Sequence, residues 1–144
     1  MTDALPTQLQ LEIVTPDHQV ARVSVSGVSI PGKNGYLGIL PGHSPLLSEL
    51  KVGELSYLQE GLTHHLAVSW GFAEVLPDRV IILAETAERA EEIDIERAER
   101  AQQRAQERLK RLTDPDIDME RARVALERAL TRLQVSGRTR QGPA

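Results

Sequence analysis

Apolar and polar residues alternate along the first part of the chain, and the period then changes. Leu9, Leu11 and Ile13 alternate with Gln8, Gln10 and Glu12, the two-residue period of a half-buried strand. Residues 1–6 read as a loose start, and Pro16-Asp17 is a turn signal. Val23 and Val25 alternate with Arg22, Ser24 and Ser26, whereas Val28 and Ile30 fall on the opposite parity. The phase change predicts a β-bulge at Gly27. A turn cluster spans 31–35. Segments 52–58 and 62–68 flank Gln59-Glu60-Gly61 in a hairpin pattern, and 69–76 and 79–84 repeat it around Pro77-Asp78. Short strands at this spacing predict an antiparallel β-sandwich or flattened barrel that closes near Ala84.

From Glu85 to Leu112 the chain is rich in Ala, Glu and Arg, all good helix formers. Ala98, Ala101, Ala105, Leu109 and Leu112 form one apolar stripe, and Met119, Ala122, Leu126, Ala129 and Leu133 form a second. Between them Thr113-Asp114-Pro115-Asp116 stops and restarts the helix, with Asp114 suited to a cap and Pro115 to a first helical turn. Two stripes joined by a short link predict an antiparallel two-helix hairpin. Ser136-Gly137 is expected to end it, with residues 138–144 frayed. The fold class is therefore α+β in sequence-separated halves: a sandwich over 1–84 and a helical hairpin over 85–144. The alanine-rich seam buries little area per residue, so the hairpin should be only marginally stable by itself.

Composition narrows the possibilities. The chain has 144 residues, enough for one domain with an appendage, and no cysteine, which removes disulfides, thiol nucleophiles and thiolate metal sites. No apolar run is long enough to span a bilayer and no leader opens the chain, so it is expected to stay in the compartment where it is made. Aromatic residues are 3 per cent, too few for stacking on single-stranded bases. Only Arg22, Lys33, Lys51 and Arg79 precede Glu85, and the other 13 of the 17 basic residues follow it. Interleaved acidic residues cancel their long-range field, which argues against nucleic-acid binding and for solvated helix faces.

The most distinctive spelling is Gly35-Tyr36-Leu37-Gly38-Ile39-Leu40-Pro41-Gly42-His43-Ser44-Pro45-Leu46-Leu47. Two apolar runs flank a Pro-Gly-His-Ser-Pro corner, so the chain is expected to leave a core, turn and re-enter it. This stretch resembles the G-x-L-G-I-x-P-G-H-x-P-L-L signature of the epsilon subunits of bacterial F-type ATP synthases, and the resemblance extends along nearly the whole chain. Tyr36 departs from it, standing where the family carries a charged or polar residue. Ser69-Trp70-Gly71 departs too, since relatives have a glycine pair after the serine. Trp70 then reads as a core or half-buried plug, or as an exposed contact.

The resemblance implies a non-catalytic rotor subunit on the cytoplasmic face of the bacterial membrane, held there through its complex. Its sandwich would dock on the gamma subunit and the ring of c subunits, with Gly38, Ile39, Pro41, Gly42, His43, Pro45 and Leu46 as candidate contacts. Its hairpin would inhibit ATP hydrolysis when extended toward the catalytic alpha and beta subunits, where the basic face with Arg121, Arg123 and Arg128 could meet acidic segments.

Ile93-Asp94-Ile95-Glu96-Arg97-Ala98 has two readings. Asp94 can cap the first long helix, with Ile93 and Ala98 forming a weak hydrophobic staple. The segment also resembles the I/L-D-x-x-R-A motif with which some epsilon subunits bind ATP. By that resemblance Glu88, Ile93, Asp94, Arg97, Ala98, Arg104, Arg128 and Arg132 match the nucleotide-binding positions, with ATP a regulatory ligand and no cofactor required. Folding the hairpin about 113–114 would bring Arg97, Arg104, Arg128 and Arg132 toward the start of the first helix, where forked guanidiniums suit phosphate oxygens. The rival reading of the same cluster is a stand-alone adenine-nucleotide-binding regulatory module. His64 and His65 alternate faces of a strand and cannot readily share a metal, and no phosphate loop or nucleophile–base pair is present, so no enzyme chemistry is expected of the chain itself.

Overall fold

The computed structural model describes residues 5–140; the expectations for residues 1–4 and 141–144 lie outside them. Eight strands are followed by two helices: β1 Leu9–Val14, β2 Gln19–Val25, β3 Gly27–Gly32, β4 Gly35–Ile39, β5 Leu46–Leu50, β6 Gly53–Gln59, β7 Leu62–Leu76, β8 Arg79–Arg89, α1 Ile95–Lys110 and α2 Met119–Arg140. The strands form a β-sandwich and the helices an antiparallel hairpin, the architecture expected from the change of period. One strand pair departs from the antiparallel expectation, because β1 runs parallel to β8, Leu11 opposite Val80 and Ile13 opposite Ile82.

The long β7–β8 hairpin serves both layers. The first half of β7 pairs with β6, Gly53 opposite Val68, and its second half with β5, Leu50 opposite Gly71. The bend between the halves lies at Trp70-Gly71, with φ of 53° and 128°. Trp70 is half-buried there. A Cβ on Gly71 would lie 1.8 Å from the Leu83 carbonyl oxygen, so the strands approach too closely for any side chain. The left-handed φ at Trp70 gives a physical reason why a glycine suits that position. The turn from β6 into β7 needs two residues only, Glu60 and Gly61, both at positive φ as a type I′ turn requires.

Between the layers sits one core, with Leu9, Leu11, Ile13, Ile30, Leu55, Leu66 and Ile82 removed from solvent. The parity change near Gly27 is not a bulge within one strand. β2 ends at Val25 beside β1, and β3 starts at Gly27 beside β4 and β6. Ser26 is the corner, its amide donating to the Leu58 carbonyl, so the inward face changes because the strand changes partners.

Three boundaries in the second half differ from the sequence reading. The helix does not start at Glu85: β8 continues to Arg89 because Thr86, Ala87, Glu88 and Arg89 pair with the first half of β7. A 3-10 turn at Ala90–Glu92 then leads to α1. The link from 111 to 118 leaves Leu112 exposed, outside the seam that Ala98, Ala105, Ala122 and Ala129 occupy. Asp114 caps no helix; it accepts from the Asp116 amide, while Asp118 accepts from Arg121 at the start of α2. Nor does α2 stop at Ser136-Gly137. Ser136 satisfies its hydroxyl on the Leu133 carbonyl and Val135 is fully buried, so packing carries the helix through the glycine.

The Gly71→Ala substitution is expected to cost more than about 3 kcal/mol, since it adds a backbone clash to an unfavourable φ. Gly61→Ala, at φ 80° with open space around it, should cost only about 1–2 kcal/mol. Urea unfolding followed by Trp70 fluorescence checks the order.

Candidate functional site

Two places carry groups that the internal packing does not use. The first is the corner between β4 and β5. Gly42, at φ 87°, donates its amide to the Pro77 carbonyl at 2.7 Å and so ties the corner to the β7–β8 turn. His43 is held locally, its amide on the Leu40 carbonyl and its Nδ1 2.7 Å from the Ser44 carbonyl. Ile39 enters the core, but the second apolar run does not re-enter it. Leu40 is 67 % exposed and Leu47 68 %, and Pro45 and Leu46 also face solvent. Gly38 and His43 lie along the same rim, with Pro41 partly covered.

Further apolar side chains are exposed on the outer face of the sheet. Phe72 is 48 % exposed, Leu83 lies directly opposite it on β8, and on β5 Leu47 stands two residues before Glu49, the residue opposite Phe72. These two residues escaped the sequence reading, although the signal was present. Val80 to Ala84 is apolar without alternation, and a strand apolar on both faces expects cover on both.

The second place is the joint between α2 and the sandwich. Val135 packs on Ala67, Ala90 and Ile93 in a small apolar cluster. Charged pairs flank it along α2: Arg128 lies 3.6 Å from Glu85, Arg132 Nε donates to Glu88 Oε1 at 2.6 Å, and Arg138 holds both oxygens of Glu54 at 3.1 Å. The hydrogen bond to Glu54 and then its charge hold the Arg138 guanidinium proton more tightly than usual. The hydroxyl of Tyr36, the family departure, accepts from the Glu54 amide at 3.1 Å and so steadies that residue from the corner side.

Among the candidate nucleotide residues, the structure gathers Glu88, Ile93, Arg128 and Arg132 at this joint. Asp94 caps α1 by accepting from the Arg97 amide at 3.0 Å, and Ala98 is buried in the helix seam. The side chains of Arg97 and Arg104 are exposed, and among the described residues they make no ion pair. Arg128 Nε is buried without a hydrogen-bond partner, a donor still open to an acceptor. Glu54, Glu85 and Arg138 were missed by the sequence reading, since strand and helix residues so far apart meet only after docking. Among the described residues no cluster of His, Asp or Glu is arranged to hold a metal, and no helix is long and apolar enough to cross a membrane.

The sandwich and the hairpin match two family models in succession: the ATP synthase delta/epsilon chain β-sandwich domain over residues 8–90 and its long α-helix domain over 91–137. The chain belongs to the ATP synthase delta/epsilon family. It is similar to the ATP synthase epsilon chain of Koribacter versatilis, 60 % identical over 70 % of this chain and 71 % of that one. The epsilon chain of Geotalea daltonii is 48 % identical over 92 % and 96 % respectively. Among solved structures, a chain in the Euglena gracilis mitochondrial ATP synthase (OSCP/F1/c-ring) superposes with a TM-score of 0.77 at 27 % identity, over 87 % of this chain and 79 % of that one. As a delta/epsilon family member it is a subunit of the ATP synthase complex.

Val135→Ala is expected to weaken docking of α2 by about 2 kcal/mol through lost burial and a residual void, and Glu88→Gln by about 1 kcal/mol. Amide exchange should quicken over 128–138 while the core strands β1 and β8 keep their protection.

Proposed function

We propose that this chain is a central-stalk rotor subunit that helps couple proton flow to ATP synthesis and brakes ATP hydrolysis with its hairpin. One observation carries the docking part: the apolar rim of Leu40, Leu46, Leu47, Phe72 and Leu83 is left uncovered on a sandwich whose core is already complete. Leu47, Phe72 and Leu83 are exposed on one face of the sheet, and apolar side chains grouped in this way mark an interaction site. The partners best suited to it are the gamma subunit and the c-subunit ring, which would bring the chain to the cytoplasmic face of the membrane without a span of its own. Catalysis would remain with the alpha and beta subunits.

The brake reading draws on the joint. A thin alanine seam, one small apolar cluster and a few ion pairs hold α2 to the sandwich, a set weak enough to open. Released, the hairpin could extend toward the catalytic subunits. ATP bound at the joint would favour the folded hairpin only by binding that conformer better. The unpartnered Arg128 Nε and the neighbouring Arg132 support a phosphate-bearing ligand there, and the stand-alone nucleotide-sensing module is the second reading on the same observation.

The Leu47→Glu, Phe72→Glu double variant should fold, since both sites are exposed, yet fail to assemble with gamma and the c ring when the complex is reconstituted. Normal assembly would remove the rim as the docking surface. In calorimetric titration, Arg128→Ala or Arg132→Ala should weaken ATP binding by about tenfold or more with the sandwich intact. Unchanged affinity in both would discard the nucleotide site and leave the rotor reading in place.

A further inference from the structure

We propose that Tyr36 is a positioning residue for α2: its hydroxyl sets Glu54 where Arg138 grips it, and so ties the β4–β5 corner to the docked helix. The proposal rests on the reading that α2 can leave the sandwich, and it names what that step depends on. Glu54 is the second residue of β6, opposite Ala67 of β7. On its other side the ladder between β3 and β6 ends with Ser29 opposite Ser56, two residues short of it. The Glu54 amide donates instead to the Tyr36 hydroxyl, at 3.1 Å. The fit there is close: a Cβ on Gly53 would lie 2.6 Å from the Pro31 Cβ and 2.9 Å from that hydroxyl.

The side chain of Glu54 completes the link. Arg138 donates from Nε and Nη2 to its two carboxylate oxygens, each at 3.1 Å, and His65 Nδ1 lies 3.6 Å from its Oε1. A two-point grip between a carboxylate and a guanidinium is directional, so it weakens when the strand carrying the carboxylate shifts. β7 restrains that strand end from one side and Tyr36 from the other. Without the hydroxyl, Glu54 is restrained from β7 alone, and ordering it falls to the grip itself. Tyr36 is 55 % exposed and lines a groove of about 570 Å³ in the corner, together with Lys33, Leu37, Leu46 and Leu47. Leu46 and Leu47 belong to the rim proposed for docking, so the residue that sets Glu54 stands beside that rim. Both ends of the link are distinctive in this chain. Tyr36 departs from the corner signature, and the long α-helix family model ends at residue 137, one short of Arg138.

Amide exchange resolved by residue in the isolated chain tests the link. In Tyr36→Phe, protection of the Glu54 amide and of α2 over 130–137 should fall roughly threefold or more, the size of one lost hydrogen bond, while β1 and β8 keep theirs. In Arg138→Met, α2 protection should fall at least as far, and the Glu54 amide should exchange faster too, because coupling is reciprocal. Adding Tyr36→Phe to Arg138→Met should then lower α2 protection no further. A full additional loss in the double variant overturns the proposal, as does α2 protection that ignores Tyr36→Phe. An equal loss across β1 and β8 overturns it as well, since Tyr36 would then serve the sandwich as a whole. The readout needs no partner subunit: the expected cycle, without any change in hydrolysis by the reconstituted Tyr36→Phe complex, would instead sink the brake reading and leave the Tyr36 link standing.

Discussion

The structure depends on the antiparallel ladder between β7 and β8. It runs from Leu76 opposite Arg79 to Leu66 opposite Arg89, and it bends where Gly71 lies against the Leu83 carbonyl. Without that close approach β7 could not leave β5 for β6, and the layers would not close over one core. The same ladder carries β8 past the core to Arg89, and this extension presents Glu85 and Glu88 to the hairpin. Domain closure and hairpin docking therefore share one element.

Burial and charge divide the work. Inside the sandwich, aliphatic residues with no water contact supply the stability, as the hydrophobic effect demands. At the joint the apolar contribution is small, one valine on two alanines and an isoleucine, and carboxylate–guanidinium pairs supply the geometry. Such pairs are direction-setting and responsive to salt and local charge, in contrast to a hydrophobic core. A closed sandwich carrying a hairpin held by few apolar contacts fits the movable brake proposed above.

The corner motif illustrates how one stretch can make a turn of the fold and still leave apolar side chains for the docking surface proposed above. Its glycine at φ 87° and its backbone tie to Pro77 make the turn, while its leucines are turned outward. A sequence reading sees apolar residues and assigns them to a core, because hydrophobicity alone does not tell an intramolecular interior from an intermolecular one. The outward leucines became recognisable only once Ile39 and Leu50 were seen to complete the core around them.

Much was determined by the sequence alone. Period two before Ala84 and period three-to-four after it set the sandwich and the hairpin, since alternation and helical stripes are local consequences of backbone geometry. The Asp94 cap and the Glu60-Gly61 turn were equally legible, each needing only neighbours in sequence. What tertiary structure decided was where local signals lost to long-range pairing. Glu85–Arg89 has the composition of a helix, but it is a strand because β7 offers a ladder partner. Ser136-Gly137 reads as a helix end, but Val135 and Arg138 have docking partners on the sandwich. The encounter of Glu54, His65 and Arg138 joins residues 84 positions apart at its widest. No local rule anticipates it, because the energy that brings them together comes from packing α2 on the sheet and not from anything written beside them in the chain.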